Sequence, residues 1–339
     1  MFTYEKLGSH SPAFKGLTGM DRESFDQLFA AFELAHTKRL QQTLTKRDGQ
    51  PRKRAVGCGR SYTHSLRDRL LMTLIWLRIY PTYDILGFFF SLHKTNARHN
   101  VEAILETLGT LATFAFERPT VEPRKVTSLE AVMDSYPNVV LVIDSKEQRI
   151  RRPSGRENEE TPIDPVADPS PAVSEVAETL PLYQRPYYSG KKKAPALKTQ
   201  IAVRPDGRIE AVSESVPGSC HDLTLLRKTQ LLDRLEPDEA AMFDKGYDGI
   251  PKDFPDRDLY LPFKARRNRP LTSWEQTYNA FLASYRIIVE HTNAQLQKFQ
   301  ALAQVYRHDR RKHVRTIRAV AGLVNRQIAR QPLKVYGLE

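Results

Sequence analysis

Three carboxylates in this sequence stand where they could share a cation. Asp144 follows the apolar run Val139-Val140-Leu141-Val142-Ile143, Asp244 follows Ala240–Phe243, and Glu290 lies in a long helical pattern. An unpaired charge at the end of a buried strand is unfavourable, so it usually binds a cation or caps a turn. Carboxylate oxygens suit Mg²⁺ or Mn²⁺, and a pair of such ions can activate water or a 3′-hydroxyl. The three residues therefore predict a two-metal site for phosphodiester chemistry.

Each of these carboxylates also has an ordinary structural interpretation. A single aspartate after a strand is commonly a turn or cap residue, whereas two at neighbouring strand ends repel unless a divalent ion neutralises them. Glu290 and Arg286 stand four residues apart and could form an ion pair on a helix surface. Successive helical residues rotate by about 100°, so Glu290 lies opposite the apolar stripe and could face the aspartates. The stripe contains Ile288, Thr292, Leu296, Phe299 and Ala303, and the opposite side contains Arg286, Glu290, Asn293 and Gln297.

The intervening sequence predicts a sheet that could bring the aspartates together. The first apolar run has no polar face, which is typical of a central strand, and Asp206-Gly207 between two alternating segments predicts a hairpin. His221-Asp222 precedes a leucine-rich helix, and a final helical region extends from about Thr272 to Arg330 with a break near His308. This alternation is the plan of an α/β fold, a ribonuclease-H-like domain with a mixed sheet flanked by helices. The predicted strands are Val139–Ile143, Leu197–Val203, Arg208–Val212, Ala240–Phe243 and Leu259–Leu261.

The N-terminal third of the chain predicts a helical region that binds DNA. The segments from Tyr83 to Phe90 and from Lys94 to Leu105 have helical spacing and are joined by a short turn. In a helix-turn-helix, the start of the second helix meets base edges in the major groove. Helix pairs of this size are common, but a basic linker between Lys38 and Arg60 favours a nucleic-acid partner. The residues predicted to contact DNA are Lys94, Thr95, Asn96 and Arg98.

The charge of the chain indicates a polyanionic partner. It contains 52 lysine and arginine residues against 40 acidic residues, which gives a formal net charge of +12. Such an excess favours nucleic acid through counterion release, although an ordinary basic protein can show the same total. An acidic, proline-rich segment at 154–182 runs against this trend and is predicted to be a surface insertion.

Several classes of protein are disfavoured by the sequence. It has no apolar run of membrane-spanning length, and its first residues lack the basic start and apolar middle expected of a signal peptide. Its two cysteines, Cys58 and Cys220, lack the spacing of a disulfide framework or a zinc site. We therefore expect a soluble protein of a reducing compartment with no membrane partner.

Five motifs in order give the sequence a specific family likeness. They are Val142-Ile143-Asp144-Ser145, Tyr188-Ser189-Gly190-Lys191-Lys192-Lys193, Pro217-Gly218-Ser219-Cys220-His221-Asp222, Asp244-Lys245-Gly246-Tyr247 and Tyr285-Arg286-Ile287-Ile288-Val289-Glu290-His291. With this order and spacing, the chain resembles the DDE transposases of the insertion sequence 5 family and their eukaryotic Harbinger-type relatives. The resemblance extends from about Leu66 to Arg326 and includes the helix-turn-helix.

The resemblance implies roles for residues within these motifs. Asp144, Asp244 and Glu290 would be the catalytic triad, and would bind two Mg²⁺ or Mn²⁺ ions. A glycine followed by three lysines is ordinarily a solvated turn, but the resemblance implies that this turn contacts the DNA backbone. The further DNA-contacting residues would be Lys191, Lys192, Lys193, Lys245, Arg286 and Lys298. The residues supporting the metal site would be His221, Asp222 and Tyr247, although Asp222 could be only a helix N-cap and His221 an ordinary polar residue.

The sequence departs from the family pattern at two points. The family carries a lysine seven residues after the glutamate, but Gln297 occupies that position and Lys298 lies about 100° further round the helix. The acidic segment at 154–182 is also longer than the family pattern leads us to expect.

Three regions are predicted along the chain. They are a helical DNA-binding region at 1–115, a ribonuclease-H-like catalytic domain at 136–303 that contains the acidic insertion, and a basic helical tail at 304–339. The resemblance implies a transposase that binds terminal inverted repeats of double-stranded DNA, cleaves them with Mg²⁺ and joins them to target DNA. It also implies a homodimer or larger assembly on DNA, in the bacterial cytoplasm. Two alternatives stay open, namely a DNA-binding regulator without catalysis and a ribonuclease-H-like nuclease without strand transfer.

Overall fold

The computed structural model describes residues 1–42, 62–111, 139–154, 179–236 and 239–331. Nearly all of the predicted acidic insertion and most of the basic linker lie outside these residues. The chain divides into two compact units. The first contains Met1–Thr113 with Lys298–Ala303 and Arg315–Gly322, and the second contains Phe114–Gln297 with Gln304–Val314 and Leu323–Glu339.

The first unit is helical, as the apolar periodicity predicts. Its central element is the fourth helix, in which every residue from Arg69 to Leu77 is buried. The buried guanidinium of Arg69 is satisfied by Asn100 Oδ1, to which its Nε donates at 2.6 Å. Its helices are α1 (Tyr4–Gly8), α2 (Ser11–Thr18), α3 (Arg22–Gln42), α4 (Leu66–Ile79), α5 (Tyr83–Phe90), α6 (Lys94–Leu111) and, from the later segment, α10 (Gln300–Ala303).

A tight turn joins α5 to α6. Ser91 ends α5 in the left-handed conformation (φ 52°), and the Leu92 backbone N–H donates to the Gly87 carbonyl at 2.8 Å. A Cβ at Gly87 would lie 2.4 Å from the Leu92 carbonyl oxygen, so only glycine fits at this position. The predicted pair of helices is therefore present, and its second helix continues to Leu111, beyond the predicted end at Leu105.

In the second unit, the described residues form a mixed sheet of seven strands. The order is β2-β3-β1-β6-β7, and β4 and β5 also pair with β3. β1 is parallel to β6 and antiparallel to β3, while β6 is parallel to β7. The strands are β1 (Val139–Arg149), β2 (Tyr188–Ser189), β3 (Ala194–Val203), β4 (Ile209–Val212), β5 (Val216–Pro217), β6 (Ala240–Phe243) and β7 (Asp258–Tyr260). The Asp206-Gly207 hairpin between β3 and β4 is confirmed, with Gly207 at φ 87°.

One strand differs from its prediction. β1 was expected to end at Asp144, but it continues to Arg149, and residues 142–149 pair with β3. The apolar half of β1 is flanked by β3 and β6, whereas the parallel ladder with β6 stops at Ile143. Asp144 therefore lies inside the strand, where its parallel neighbour ends.

Helices cover the sheet and fix its central strands. Phe243 and Leu226 belong to one apolar cluster, which joins β1 and β6 to α7 (Asp222–Thr229) and α8 (Ile250–Asp253). The long helix α9 (Ser273–Gln297) packs against β1 and β3, with Ile288 buried as predicted.

The C-terminal helices are more interrupted than the sequence suggests. α9 ends at Gln297, so the predicted apolar stripe stops before Ala303, which is exposed. A short 3₁₀ turn at Arg310–Lys312 precedes α11 (His313–Arg330). No helix among the described residues is both long enough and apolar enough to cross a membrane.

Candidate active site

Asp144 and Asp244 are brought side by side by the parallel pairing of β1 and β6. Ile143 pairs with Phe243 in this ladder, so the residue that follows each of them lies at the carboxyl end of the pair. β6 ends at Phe243, and Asp244 then caps a short 3₁₀ turn by accepting the backbone N–H of Lys245. Two carboxylates thus share one edge of the sheet.

The environment of Asp144 disfavours its ionised form. Burial raises the pKa of Asp144, and the negative charge of Asp244 raises it further. The Ser145 backbone N–H donates to Asp144 Oδ1 at 2.8 Å. This hydrogen bond and the positive charges of Arg286 and Lys191 lower the pKa of Asp144, against the effect of burial. A buried carboxylate beside a second carboxylate gains stability from a nearby cation.

Arg286 supplies positive charge at this edge. Its Nη1 donates to Asp244 Oδ1 at 3.1 Å, and both side chains are partly exposed. The guanidinium therefore bonds to Asp244 instead of forming the helix-surface ion pair with Glu290 that was the alternative interpretation. The contact joins α9 to the end of β6.

Glu290 is less closely associated with the aspartates. It lies one helical turn after Arg286 on the same side of α9, and its side chain is exposed. Within the described part of the chain, no three His, Cys, Asp or Glu side chains are grouped closely enough to hold a metal ion. The structure thus gathers the aspartate pair into one cluster but does not gather Glu290 with it.

The aspartate pair is chemically suited to a hard divalent cation. Its donors are carboxylate oxygens, which Mg²⁺ and Mn²⁺ prefer, and they lie at an edge that a cationic guanidinium already reaches. The partial burial of Asp144 adds to the need for positive charge. Asp144 and Asp244 therefore fit a hard divalent cation.

The Lys191–Lys193 segment forms an exposed turn close to Asp144. Lys193 has a φ of 49°, and the Lys192 backbone N–H donates to Ser189 Oγ at 3.0 Å. The charge of Lys191 lowers the pKa of Asp144. Burial lowers the pKa of Lys146 to about 8, and the charge of Lys192 lowers it too. The turn therefore adds positive potential beside the aspartates.

The two residues flanking Gly246 differ in their exposure. Lys245 is exposed directly after Asp244. Tyr247 is buried, and its hydroxyl lies 2.9 Å from Ser145 Oγ and accepts a hydrogen bond from Gln200 Nε2 at 2.8 Å. Burial raises the pKa of Tyr247, so the hydroxyl stays protonated. Tyr247 therefore holds the strand residue next to Asp144 from within the core.

A buried lysine links β1, β3 and the start of α7. Lys198 Nζ lies 2.9 Å from Asp222 Oδ1 and 3.5 Å from Glu147 Oε1, and it donates to the Cys220 carbonyl at 2.6 Å. Asp222 was interpreted as a possible N-cap, and this is wrong because His221 occupies that position and makes no side-chain capping bond. His221 itself is exposed. Sequence reasoning missed Lys198 and Glu147.

A second polar chain begins at Gln148, the next residue of β1. Gln148 Oε1 lies 2.8 Å from His313 Nε2, and His313 Nδ1 lies 2.6 Å from Ser215 Oγ. Ser215 Oγ is in turn 3.1 Å from Thr199 Oγ1 on β3. None of these residues belongs to a sequence motif, and only the run of polar residues after Asp144 could have indicated this network.

In the first unit, the predicted DNA-reading residues lie on the first turn of α6. Lys94, Thr95, Asn96 and Arg98 are exposed, whereas Ala97 between them is buried in the helical core. Arg98 Nε donates to Glu102 at 3.0 Å. Lys298 is exposed but lies past the end of α9, not on the helix as predicted, and its carbonyl accepts from Arg78 Nη1 at 2.9 Å.

Two segments of the chain match known protein families. Residues 174–325 match the family described as "DDE superfamily endonuclease", and residues 65–114 match the "Helix-turn-helix of DDE superfamily endonuclease". The two matches thus place an endonuclease-like segment of the DDE superfamily after a segment like the helix-turn-helix of the same superfamily. The matched endonuclease superfamily implies dependence on a divalent metal, and the two matched domains imply DNA binding.

A curated relative extends this comparison over nearly the whole chain. The sequence is 24% identical over 316 residues to the "Probable transposase for insertion sequence element IS702" of Microchaete diplosiphon, which covers 93% of this chain and 94% of that protein. No solved structure matches the chain significantly. The predicted DDE superfamily relationship and the predicted mixed α/β fold with an N-terminal helix-turn-helix are confirmed. The individual site residues stay predictions.

Proposed function

We propose that this protein is a DNA transposase that cleaves transposon ends and joins them to target DNA. The observation that carries the proposal is the pair Asp144 and Asp244 at one sheet edge, with Arg286 bonded to Asp244. The family matches and the similarity to a probable transposase support the same conclusion. They do not favour a regulator without catalysis or a nuclease without strand transfer.

In this proposal, Asp144, Asp244 and Glu290 hold the metal. Two Mg²⁺ or Mn²⁺ ions, when bound, would activate water or a 3′-hydroxyl and neutralise charge on the phosphodiester. Glu290 is the third ligand because it lies one turn from Arg286 on the side of α9 that reaches Asp244.

The chain's own cations position the DNA strand in this proposal. Arg286, Lys245 and the exposed turn Lys191–Lys193 surround the aspartates with positive charge suited to phosphates. Tyr247 and the Lys198–Asp222 ion pair support the strand and the helix start that flank the site. Lys298, which lies beyond the end of α9, would contact DNA outside the immediate site.

End recognition is assigned to the helix-turn-helix. The exposed Lys94, Thr95, Asn96 and Arg98 on the first turn of α6 would meet base edges of the terminal inverted repeats. The region 1–115 would thus bind ends, 136–303 would catalyse, and the basic 304–339 would add backbone contacts. Because two ends must be joined, the active form would be a homodimer or larger assembly on DNA in the bacterial cytoplasm.

Cleavage of a duplex that carries the element's own end tests the proposal. Asp144→Ala and Asp244→Asn should each abolish Mg²⁺-dependent cleavage while leaving end binding intact, and Glu290→Gln should reduce cleavage strongly. Asp256→Asn is the matched control, because Asp256 is an exposed aspartate in the same unit. Cleavage that survives Asp144→Ala would contradict the assignment of the site, and cleaved ends that never join a target plasmid would support a simple nuclease.

The role of Arg286 can be tested separately. Arg286→Ala should lower the cleavage rate by about 100-fold, the effect typical of removing one charged donor from such a site. Arg227→Ala is the control, because Arg227 is an exposed arginine that pairs with Asp253 at 2.8 Å. Equal rates for the two variants would show that Arg286 only holds Asp244 in the absence of substrate.

A further inference from the structure

Three aromatic side chains form an exposed cluster at the start of α9, and we call them the aromatic platform. They are Phe263, Trp274 and Tyr278. The Trp274 and Tyr278 rings stack at 5.5 Å with an interplanar angle of 19°, and Phe263 packs edge-on against both at 5.5 Å and 5.2 Å. Trp274 is nevertheless 65% exposed. A large aromatic face therefore remains in contact with water, which is unfavourable unless a partner covers it.

The platform is held rigidly by hydrogen bonds. The Phe263 backbone N–H donates to Asn279 Oδ1 at 2.8 Å, and Asn279 Nδ2 donates back to the Phe263 carbonyl at 2.9 Å. Glu275 and Thr272 form a capping box at the start of α9, with bonds of 2.8 Å and 3.2 Å. An ordered exposed cluster is suited to binding because little conformational freedom is lost when a partner docks.

The chain entering the platform is strongly basic. Residues 264–269 include four cations in a tight turn, which is closed by two backbone hydrogen bonds of 3.0 Å between Arg266 and Arg269. Arg269 pairs with Glu275 at 2.8 Å, and Lys264 pairs with Asp248 at 3.2 Å. In the described part of the chain, no carboxylate pairs with Arg266 or Arg267, and both are exposed. Unpaired cations beside an exposed aromatic face complement a nucleic-acid strand, which carries phosphates and stacking bases.

The platform is connected to the candidate active site through two elements. Lys264 bonds to Asp248, which lies four residues after Asp244. Trp274 and Arg286 share α9, and their offset of twelve positions corresponds to about 18 Å along the helix axis. This separation equals a few nucleotides of an extended strand, so one DNA strand could contact both.

We propose that the aromatic platform binds an unpaired base of the DNA strand that enters the active site. Trp274 stacks on the base, Tyr278 and Phe263 back the indole ring, and Arg266 with Arg267 bind the flanking phosphates. The identification of that strand as a distorted or cleaved transposon end rests on the proposed function. Binding of an unpaired base does not depend on catalysis.

The test compares two fluorescein-labelled oligonucleotides of equal length in EDTA, one of thymidines and one of abasic sites. The full-length protein should bind the thymidine strand more tightly, because only that strand can stack. Trp274→Ala should weaken binding of the thymidine strand by about 5-fold to 150-fold and leave binding of the abasic strand unchanged. Trp274→Phe should restore most of the difference. Arg266→Ala should weaken binding of both strands and reduce the salt dependence.

Tyr183→Ala is the matched control, since Tyr183 is an aromatic residue of the same unit that is 40% exposed. Equal weakening of both strands by Trp274→Ala, or none, overturns the proposal. A loss of dimer mass by light scattering in Trp274→Ala, with DNA binding unchanged, also overturns it and identifies a self-association surface. If the thymidine strand stacks on Trp274 but the protein never cleaves DNA with Mg²⁺, base binding by the aromatic platform is supported and the proposed function is refuted. If the protein cleaves DNA but no stacking is detected, the proposed function is supported and base binding by the platform is refuted.

Discussion

A buried neutral histidine should make the second unit sensitive to mild acid. His313 is 1% exposed and uses both ring nitrogens, at 2.8 Å from Gln148 Oε1 and 2.6 Å from Ser215 Oγ. Gln148 Nε2 donates to the Gln304 carbonyl at 2.8 Å, which leaves Gln148 Oε1 as an acceptor. The network therefore assigns the proton to His313 Nε2 and leaves Nδ1 to accept from the serine hydroxyl.

The size of the effect follows from the titration of this ring. Burial lowers the pKa of His313 to about 4, from 6.5 for an unperturbed histidine, and the positive charge of Lys146 acts in the same direction. As pH falls through about 6.5, the unfolded chain takes up a proton that the folded protein refuses. The stability is therefore complete above that pH and is lost progressively as pH falls towards the folded pKa. Between about pH 7.5 and about pH 5, the loss is about 2 kcal/mol.

Urea unfolding followed by circular dichroism, with wild type and His313→Gln at both pH values, measures this loss. The variant should be less stable at the higher pH, since it loses the edge-on contact of the ring with Tyr306 at 4.9 Å. The stability difference between the two proteins should shrink by about 2 kcal/mol at the lower pH. His10→Gln, which changes an exposed histidine, should follow wild type. A constant difference at both pH values would refute the reasoning.

Two further substitutions test packing and charge. Gly87→Ala should lower the free energy of unfolding by about 1–3 kcal/mol, because its Cβ would lie 2.4 Å from a backbone oxygen. Gly16→Ala is the control: its Cβ would meet no atom within 4 Å, so it should be neutral or stabilising in thermal denaturation. Lys198→Met should lower the free energy of unfolding in urea by about 3–5 kcal/mol, because it leaves the buried Glu147 carboxylate without its cation. The double variant Lys198→Met with Glu147→Gln should recover much of that loss. Equal losses in the single and double variants would contradict the pairing of Lys198 with Glu147.

Local patterns were sufficient to predict most elements that frame the site. The wholly apolar run before Asp144 predicted a central strand, and the Asp206-Gly207 pair predicted the hairpin, because both signals depend on neighbouring residues. The helix periodicity also predicted that Ile288 faces the core. These features need no knowledge of distant partners.

The polar half of β1 could not be predicted in the same way. Residues after Asp144 are polar and resemble a turn, and their partners are distant in sequence, such as His313, which lies 165 positions after Gln148. Such a strand is formed by pairing with β3 and by side-chain bonds from later elements. For Glu290, periodicity specifies a face of α9 but gives no distance to the aspartates, so its place in the triad depends on the family resemblance.

The two-sided use of β1 has a consequence for which genetic changes this protein should tolerate. Side chains alternate along a strand, so Asp144 and Gln148 share one face while Ser145 and Glu147 share the other. Deleting one residue from this stretch would exchange the two faces, bury the wrong side chains and move the Asp144 carboxylate away from the sheet edge that it shares with Asp244. Among relatives, the length of this strand should therefore vary less than the lengths of the loops that flank it.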